Sequence, residues 1–212
     1  MSKIKKYSEA DLTLLYDLKC FVGNDKSPLL TEWLEHTNPV ALNSGEQYLF
    51  NLIFFDAQEK IKCWDRAELK MKFIAFVLKL GHLIDIPPYH TYFEYTVEAT
   101  VNNQFLKIKT DFMIAKGILN QPQNPYFYFQ IWKKYRNPTG DPIAQLLTAF
   151  LISQEINQTK QPLYGCAVTG RFWEFIIMID KNYYLSKSYD CTNEDDLMAI
   201  IVILRQCKYF LN

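Results

Sequence analysis

Residues 104–134 read QFLKIKTDFMIAKGILNQPQNPYFYFQIWKK, and the spacing of their apolar residues decides the fold. Apolar and polar residues alternate with a period of two, which is typical of β-strands. The pattern predicts a strand over Gln104–Ala115 and a second strand over Tyr126–Lys134. Lys107, Lys109 and Asp111 share one face of the first strand, and Lys133 ends an apolar face of the second. Two core strands therefore carry charged residues near the same end.

The segments before this stretch predict helices and then a hairpin. Helical periodicity dominates the first 82 residues, with helices expected over Glu9–Val22, from Ser44 onward, and up to Gly81. A period of two returns in YFEYTVEATV, residues 92–101, and Asn102-Asn103 supplies the tight turn of a hairpin. This part of the chain thus changes from helical to strand structure.

The segments after the stretch complete an alternating pattern. Asp141 and Pro142 are a favourable N-cap and first-turn pair for a helix that runs to Asn157. Three strand-like segments and a helix over residues 193–208 follow. The order predicts an α/β fold with a mixed β-sheet flanked by helices. We expect an N-terminal helical extension, residues 1–60, packed on an α/β domain, residues 61–212.

Composition excludes several classes of protein. The 23 basic residues balance the 23 acidic ones, so binding to nucleic acid requires a local basic patch. The longest apolar run, Leu197–Leu204, is too short to span a bilayer, and the acidic residues near the N-terminus argue against a signal peptide. The histidines and cysteines lack the spacing of zinc ligands. We expect a cytoplasmic protein that does not interact with membranes.

Asp111 and Lys133 are the first candidates for chemistry. An acid beside a lysine near a sheet edge can hold a divalent metal ion and orient a water molecule. A lysine at the end of an apolar strand can also extend to solvent without any function. The residues alone leave both interpretations open.

Four segments together resemble the PD-(D/E)XK nuclease superfamily, in particular a group of largely uncharacterised bacterial domains within it. These segments are the helix WDRAELKMKFI, the strand KTDFMIAKG, the strand YFQIWKKY, and DPIAQLLTAFLISQEIN followed by PLYGCAVTGRFWEF. The resemblance extends from residue 60 to residue 208. It implies a restriction-endonuclease-like core.

The resemblance also implies a magnesium site. Asp111 matches the metal-binding aspartate, Lys133 matches the lysine of the E-x-K motif, and Glu68 matches the acid of the leading helix. In the family, Mg²⁺ polarises the scissile phosphate and the lysine positions the attacking water. The glutamate of E-x-K is replaced here by Ile131, which supplies no oxygen ligand. Glu68 is the first candidate to replace that acid, followed by the acids Glu94, Glu98 and Glu155.

A basic patch and a glutamine extend this hypothesis to DNA. Lys107, Lys109, Lys134 and Arg136 could contact phosphates, although a solvated basic face has the same composition. Gln145 is similar to the glutamine that follows the lysine strand in related nucleases. A helix-surface glutamine without function is the alternative.

Three functions follow from these residues. The first is a catalytically impaired or inactive relative of magnesium-dependent DNA nucleases, as the missing acid at Ile131 suggests. The second is an active magnesium-dependent DNA nuclease with a migrated acidic ligand. The third is a protein-interaction module whose first 60 residues form a homodimer or partner surface.

Overall fold

The computed structural model describes residues 7–35, 41–83, 88–118, 121–134 and 140–211. The helical segments are α1 (Glu9–Tyr16), α2 (Pro28–Leu34), α3 (Ser44–Lys60), α4 (Arg66–Leu69), a π-helical segment (Lys70–Ile74), α5 (Ala75–Leu80), α6 (Pro142–Asn157) and α7 (Glu194–Phe210). The strands are β1 (Lys19–Val22), β2 (Tyr89–Phe93), β3 (Thr96–Val101), β4 (Gln104–Lys109), β5 (Phe112–Ile118), β6 (Gln121–Lys133), β7 (Leu163–Thr169), β8 (Phe172–Ile179) and β9 (Asn182–Asp190). This is the α/β arrangement that the sequence predicts.

Seven strands form one mixed sheet in the order β1-β9-β8-β7-β6-β5-β2. Strands β6 and β7 pair in parallel, and so do β1 and β9, whereas the other neighbours are antiparallel. Parallel neighbours require a crossover connection, and α6 supplies it between β6 and β7. Strands β3 and β4 form a separate two-stranded sheet.

Two apolar cores lie on opposite faces of the large sheet. One packs against α2, α3, α5 and α7 and contains Trp33, Phe50 and Leu204. The other packs against α1, α6 and the β3-β4 hairpin and contains Leu147 and Ile131. The helices therefore flank the sheet on both faces. Within the described ranges, no helix combines the length and apolarity needed to cross a membrane.

Two predicted strands are wrong in their continuity. The strand predicted over residues 92–101 is divided between β2 and β3, and the strand predicted over Gln104–Ala115 is divided between β4 and β5. Glu94 has a left-handed backbone (φ 54°), which turns the chain out of the large sheet between β2 and β3. The amide of Glu94 donates to Asp111 O (3.1 Å), and the amide of Thr110 donates to Tyr95 O (2.8 Å). One long hairpin is thereby bent, so that its tip, β3 and β4, packs on α6 instead of extending the sheet.

The predicted hairpin turn is confirmed. Asn102 and Asn103 both have positive φ values, 47° and 63°, as a type I′ turn requires. Asparagine tolerates this region better than most residues that carry a side chain.

The predicted helix Glu9–Val22 is wrong beyond Tyr16. Asp17 adopts a left-handed conformation (φ 53°) that ends α1, and residues 19–22 form β1 beside β9. The aromatic and β-branched pair Phe21-Val22 fits a strand better than a helix. Residues 1–60 therefore contribute a strand to the large sheet as well as helices.

Helix α3 buries only some of its apolar residues. Tyr48, Leu52 and Phe55 are exposed, whereas Phe50 and Phe54 pack into the core. The helix is apolar on several sides, so its periodicity does not distinguish the buried side. A partner surface on residues 1–60 stays a prediction.

Candidate functional site

A cleft of ≈ 480 Å³ opens at the carboxyl end of β6. Its walls come from α4, the β3-β4 hairpin, the end of β6 and the first turns of α6. The charged and polar side chains that line it include Arg66, Glu94, Lys107, Lys109, Asp111, Lys133, Asp141, Gln145 and Thr148. Six candidate residues from the sequence thus share one cleft: Glu94, Lys107, Lys109, Asp111, Lys133 and Gln145.

The bend in the long hairpin brings two carboxylates together. Glu94 follows β2 and Asp111 precedes β5, and the hydrogen bond between their backbones fixes them side by side. The ammonium of Lys70 contacts both carboxylates, Asp111 Oδ1 at 2.7 Å and Glu94 Oε1 at closer range. A lysine nitrogen therefore lies between the two acids.

Asp111 is held by donors on both carboxylate oxygens. Its side chain is 2% exposed, and Oδ1 accepts from Arg66 as well as from Lys70. Oδ2 accepts from the backbone amide of Trp132 at 2.7 Å, and Arg66 Nε donates to Trp132 O at 3.2 Å. Buried carboxylates need such partners, because an unpaired charge is costly away from water. The side chain thus joins α4 and the π-helical segment to the end of β6.

Two lysines hold the carboxyl group of Glu94 in its ionised form. Lys109 Nζ lies 2.7 Å from its Oε2, and Lys70 contacts its Oε1. Hydrogen bonds from Lys109 and then from Lys70 lower the pKa of Glu94 to about 2, against an ordinary value of 4.5. The carboxylate is therefore ionised throughout the physiological range.

The two cations beside Asp111 come from one helix end. Asp65 caps α4 by accepting from the amide of Glu68 at 2.8 Å, and Arg66 and Lys70 lie one turn apart. Lys70 opens the π-helical segment, a geometry often found at functional sites. Its ammonium also lies 5.4 Å from the centre of the Trp132 ring. Arg66 and Lys70 were not among the residues predicted from the sequence, although their spacing in DRAELK places both on one side of a helix.

Ile131 lies in the core beside the cleft. It is fully buried, pairs with Ala167 of β7, and packs in the core that includes α6. The position at which the resemblance implies a second acid is therefore occupied by an apolar residue, and its neighbours are apolar as well. Lys133, two residues further along β6, is the first side chain on this face to reach the cleft.

The other candidate acids lie elsewhere. Glu68 does not line the cleft; it accepts from Lys72 Nζ (2.6 Å) and from the amide of Asp65 (3.0 Å). These two contacts lower the pKa of Glu68. Glu98 pairs with Lys107, on the outer part of the hairpin. Glu155 lies near the far end of α6 and borders a separate cleft.

Two basic candidates, Lys134 and Arg136, are not among the described residues that line this cleft. Lys134 lines a different cleft, on the side of the β7-β8 turn. Arg136 lies outside the described residues. Where the chain is described, there is no group of three or more histidine, cysteine or acidic side chains arranged to hold a metal ion.

Comparison with known proteins identifies no relative, so any argument about function depends on the geometry of this cleft. No protein-family model and no curated protein sequence matches the chain.

Proposed function

We propose that this chain is a nuclease-like protein that has lost metal-dependent cleavage and binds the phosphodiester backbone of DNA in the cleft. The observation that carries the proposal is the ammonium of Lys70, which contacts both Asp111 and Glu94. A divalent ion that used these two carboxylates would have to take the place of that nitrogen. The ammonium of Lys70 therefore occupies the position between the two carboxylates that a metal ion would need.

The order of elements supports a restriction-endonuclease-like core. Asp111 directly precedes β5, Lys133 ends the neighbouring strand β6, and α6 then crosses over to the parallel strand β7. Binding sites in α/β sheets commonly lie at the carboxyl ends of such strands. The fold does not fix the activity, so the side chains of the cleft must decide it.

The side chains present do not fit Mg²⁺. This ion requires near-octahedral oxygen coordination, whereas Asp111 and Glu94 already accept from Arg66, Lys70 and Lys109. Ile131 adds no oxygen ligand, and Glu68 lies outside the cleft. We infer that the protein acts without a bound magnesium ion.

The charges of the cleft suit a polyanion. Among the described lining residues, the four cations Arg66, Lys107, Lys109 and Lys133 exceed the three carboxylates Glu94, Asp111 and Asp141. Lys109 keeps 58% of its side chain exposed while it pairs with Glu94. Lysines in this setting can bind phosphates and release counterions, which gives affinity that falls as salt rises.

The test is binding of a labelled DNA duplex, measured by fluorescence anisotropy in EDTA and in Mg²⁺. We expect equal affinity in both and no cleavage in Mg²⁺. The double variant Lys107→Gln/Lys109→Gln should bind more weakly and with a shallower salt dependence, by roughly one unit of slope for each lost phosphate contact. The control is Lys187→Gln, at an exposed lysine of β9 that lines none of the clefts described above.

Cleavage in Mg²⁺ that Asp111→Asn abolishes would overturn this proposal. Absence of any salt-dependent DNA binding would overturn it as well.

A second candidate function is an active nuclease in which Glu94 is the migrated acid. It is favoured because Glu94 and Asp111 contact the same nitrogen and are thus close enough for one ion to contact both. Magnesium-dependent cleavage that is lost in both Glu94→Gln and Asp111→Asn, but retained in Glu68→Gln, would support it.

A further inference from the structure

A second cleft, of ≈ 730 Å³, lies beside the turn between β7 and β8. Lys62, Lys134, Arg171 and Phe172 line it, and Glu174 is the carboxylate among its described lining residues. Three cations thus face one acid around a largely apolar floor. This charge balance favours an anionic ligand that also carries an apolar surface.

The turn is attached directly to the end of β6. Thr169 pairs with Phe172, so Gly170 and Arg171 form a two-residue turn, and Gly170 has a positive φ of 59°. The amide of Gly170 donates to Lys133 O at 2.7 Å, and a Cβ at Gly170 would lie 3.0 Å from Lys134 O. The hydrogen bond from Gly170 to Lys133 holds the turn against the end of β6, which lies between the two clefts.

Consecutive lysines line the two clefts. Lys133, the last residue of β6, lines the first cleft, and Lys134, which follows it, lines the second. One strand of nucleic acid that crosses the end of β6 could therefore contact both clefts.

Phe172 provides an aromatic surface in the second cleft. Its side chain remains 40% exposed, and the guanidinium of Arg171 lies 4.8 Å from the ring centre. Asp190 holds that guanidinium, with Oδ2 3.3 Å from Arg171 Nε. Exposed aromatic rings beside cations are the usual platform for stacking unpaired bases, since every base has a flat π-face.

We propose that the second cleft binds an unpaired base of single-stranded DNA, stacked on Phe172, with the neighbouring phosphates on Lys62 and Lys134. The inference rests on the proposed function and narrows it, because it makes single-stranded DNA the preferred ligand. Within a duplex the bases are stacked on one another, so no base face is available to Phe172 away from the duplex ends.

The experiment compares a labelled 20-mer of thymidylate with a blunt duplex, for the full chain and three variants, by fluorescence anisotropy in EDTA. Phe172→Ala should lose at least about fivefold in affinity for the single strand, with less than about twofold change for the duplex. Phe172→Trp should retain single-strand binding because it keeps the π-face. The control is Phe55→Ala, at a phenylalanine of α3 that is even more exposed than Phe172 and lines neither cleft.

The outcomes separate this inference from the proposed function. If the wild type binds the duplex but Phe172→Ala leaves single-strand affinity unchanged, or lowers both affinities equally, the base site is wrong and the backbone site stands. If Phe172→Trp loses the single strand as Phe172→Ala does, stacking is also wrong. If the wild type binds neither oligonucleotide, both proposals fail.

Discussion

Lys70 Nζ lies 2.7 Å from Asp111 Oδ1, and this ion pair joins the π-helical segment to the bend of the long hairpin. The carboxylate is almost fully buried, whereas the lysine keeps part of its side chain in solvent. Removing one partner of a buried pair costs more than the pair itself contributes, because the other charge stays desolvated. The pair therefore gives separate predictions for the acid and for the lysine.

Asp111→Asn should destabilise the fold by about 2 kcal/mol. The amide cannot accept on both sides, so Trp132 N–H or the Arg66 and Lys70 cations lose a partner. Urea denaturation followed by circular dichroism measures the change. The control is Asp56→Asn, which removes an exposed ion pair with Lys60 and should have little effect. Equal stability of the two variants would contradict the role assigned to Asp111.

Lys70→Met should create a measurable site for Mn²⁺. Without the ammonium, the two carboxylates repel each other and attract a cation, so Mn²⁺ affinity should rise at least about tenfold. Titration calorimetry or the electron paramagnetic resonance signal of free Mn²⁺ measures it. Lys72→Met is the control, because Lys72 pairs with Glu68 outside the cleft. Unchanged Mn²⁺ binding in a folded Lys70→Met protein would show that Lys70 does not stand in for a metal.

Ile131→Glu should destabilise the protein by at least about 3 kcal/mol and should not restore cleavage. The side chain is fully buried among apolar residues, so an ionised carboxylate there would lose its hydration. Thermal and urea unfolding measure the loss, with Ile131→Val as the control at about 1 kcal/mol. A stable Ile131→Glu protein with magnesium-dependent cleavage would instead mean that the missing acid is the only defect.

Glu94→Gln should flatten the dependence of stability on pH below about pH 5. The pKa of Glu94 is lowered to about 2 in the folded state, so its contribution is fully present above its ordinary pKa of 4.5. That contribution falls progressively as the pH drops from 4.5 toward 2. Wild type should therefore exceed the variant in stability at pH 6, and the difference should vanish near pH 2. The exposed acid variant Glu59→Gln is the control; a constant difference at all pH values would contradict the prediction.

Local sequence patterns predicted several elements well. The N-cap Asp141 and first-turn Pro142 begin α6, and Asn102-Asn103 forms the expected turn, because each feature depends on residues adjacent in the chain. Strand alternation also placed Lys133 at the end of β6. These features allowed the sequence to predict that Asp111 and Lys133 lie near each other, and both line the cleft.

Local sequence patterns do not predict the partners of Asp111. The bend depends on Glu94 in a left-handed conformation, and a glutamate carries no compositional signal for positive φ. Lys70 lies 41 positions before Asp111 in the sequence and reaches it through the packing of a helix on the sheet. Such contacts depend on tertiary structure, so the sequence does not indicate that Glu94 shares a lysine with Asp111 while Glu68 pairs with Lys72.

The pairing of β1 with β9 has a consequence for dissecting the chain. Removing residues 1–60 would leave the backbone of Asn182–Leu185 without its strand partner, and would remove Trp33 from the core. Unpaired strand edges readily recruit strands from other molecules. A shortened chain that starts at residue 61 should therefore aggregate, and its increased mass in light scattering would report edge-to-edge association rather than the natural oligomeric state.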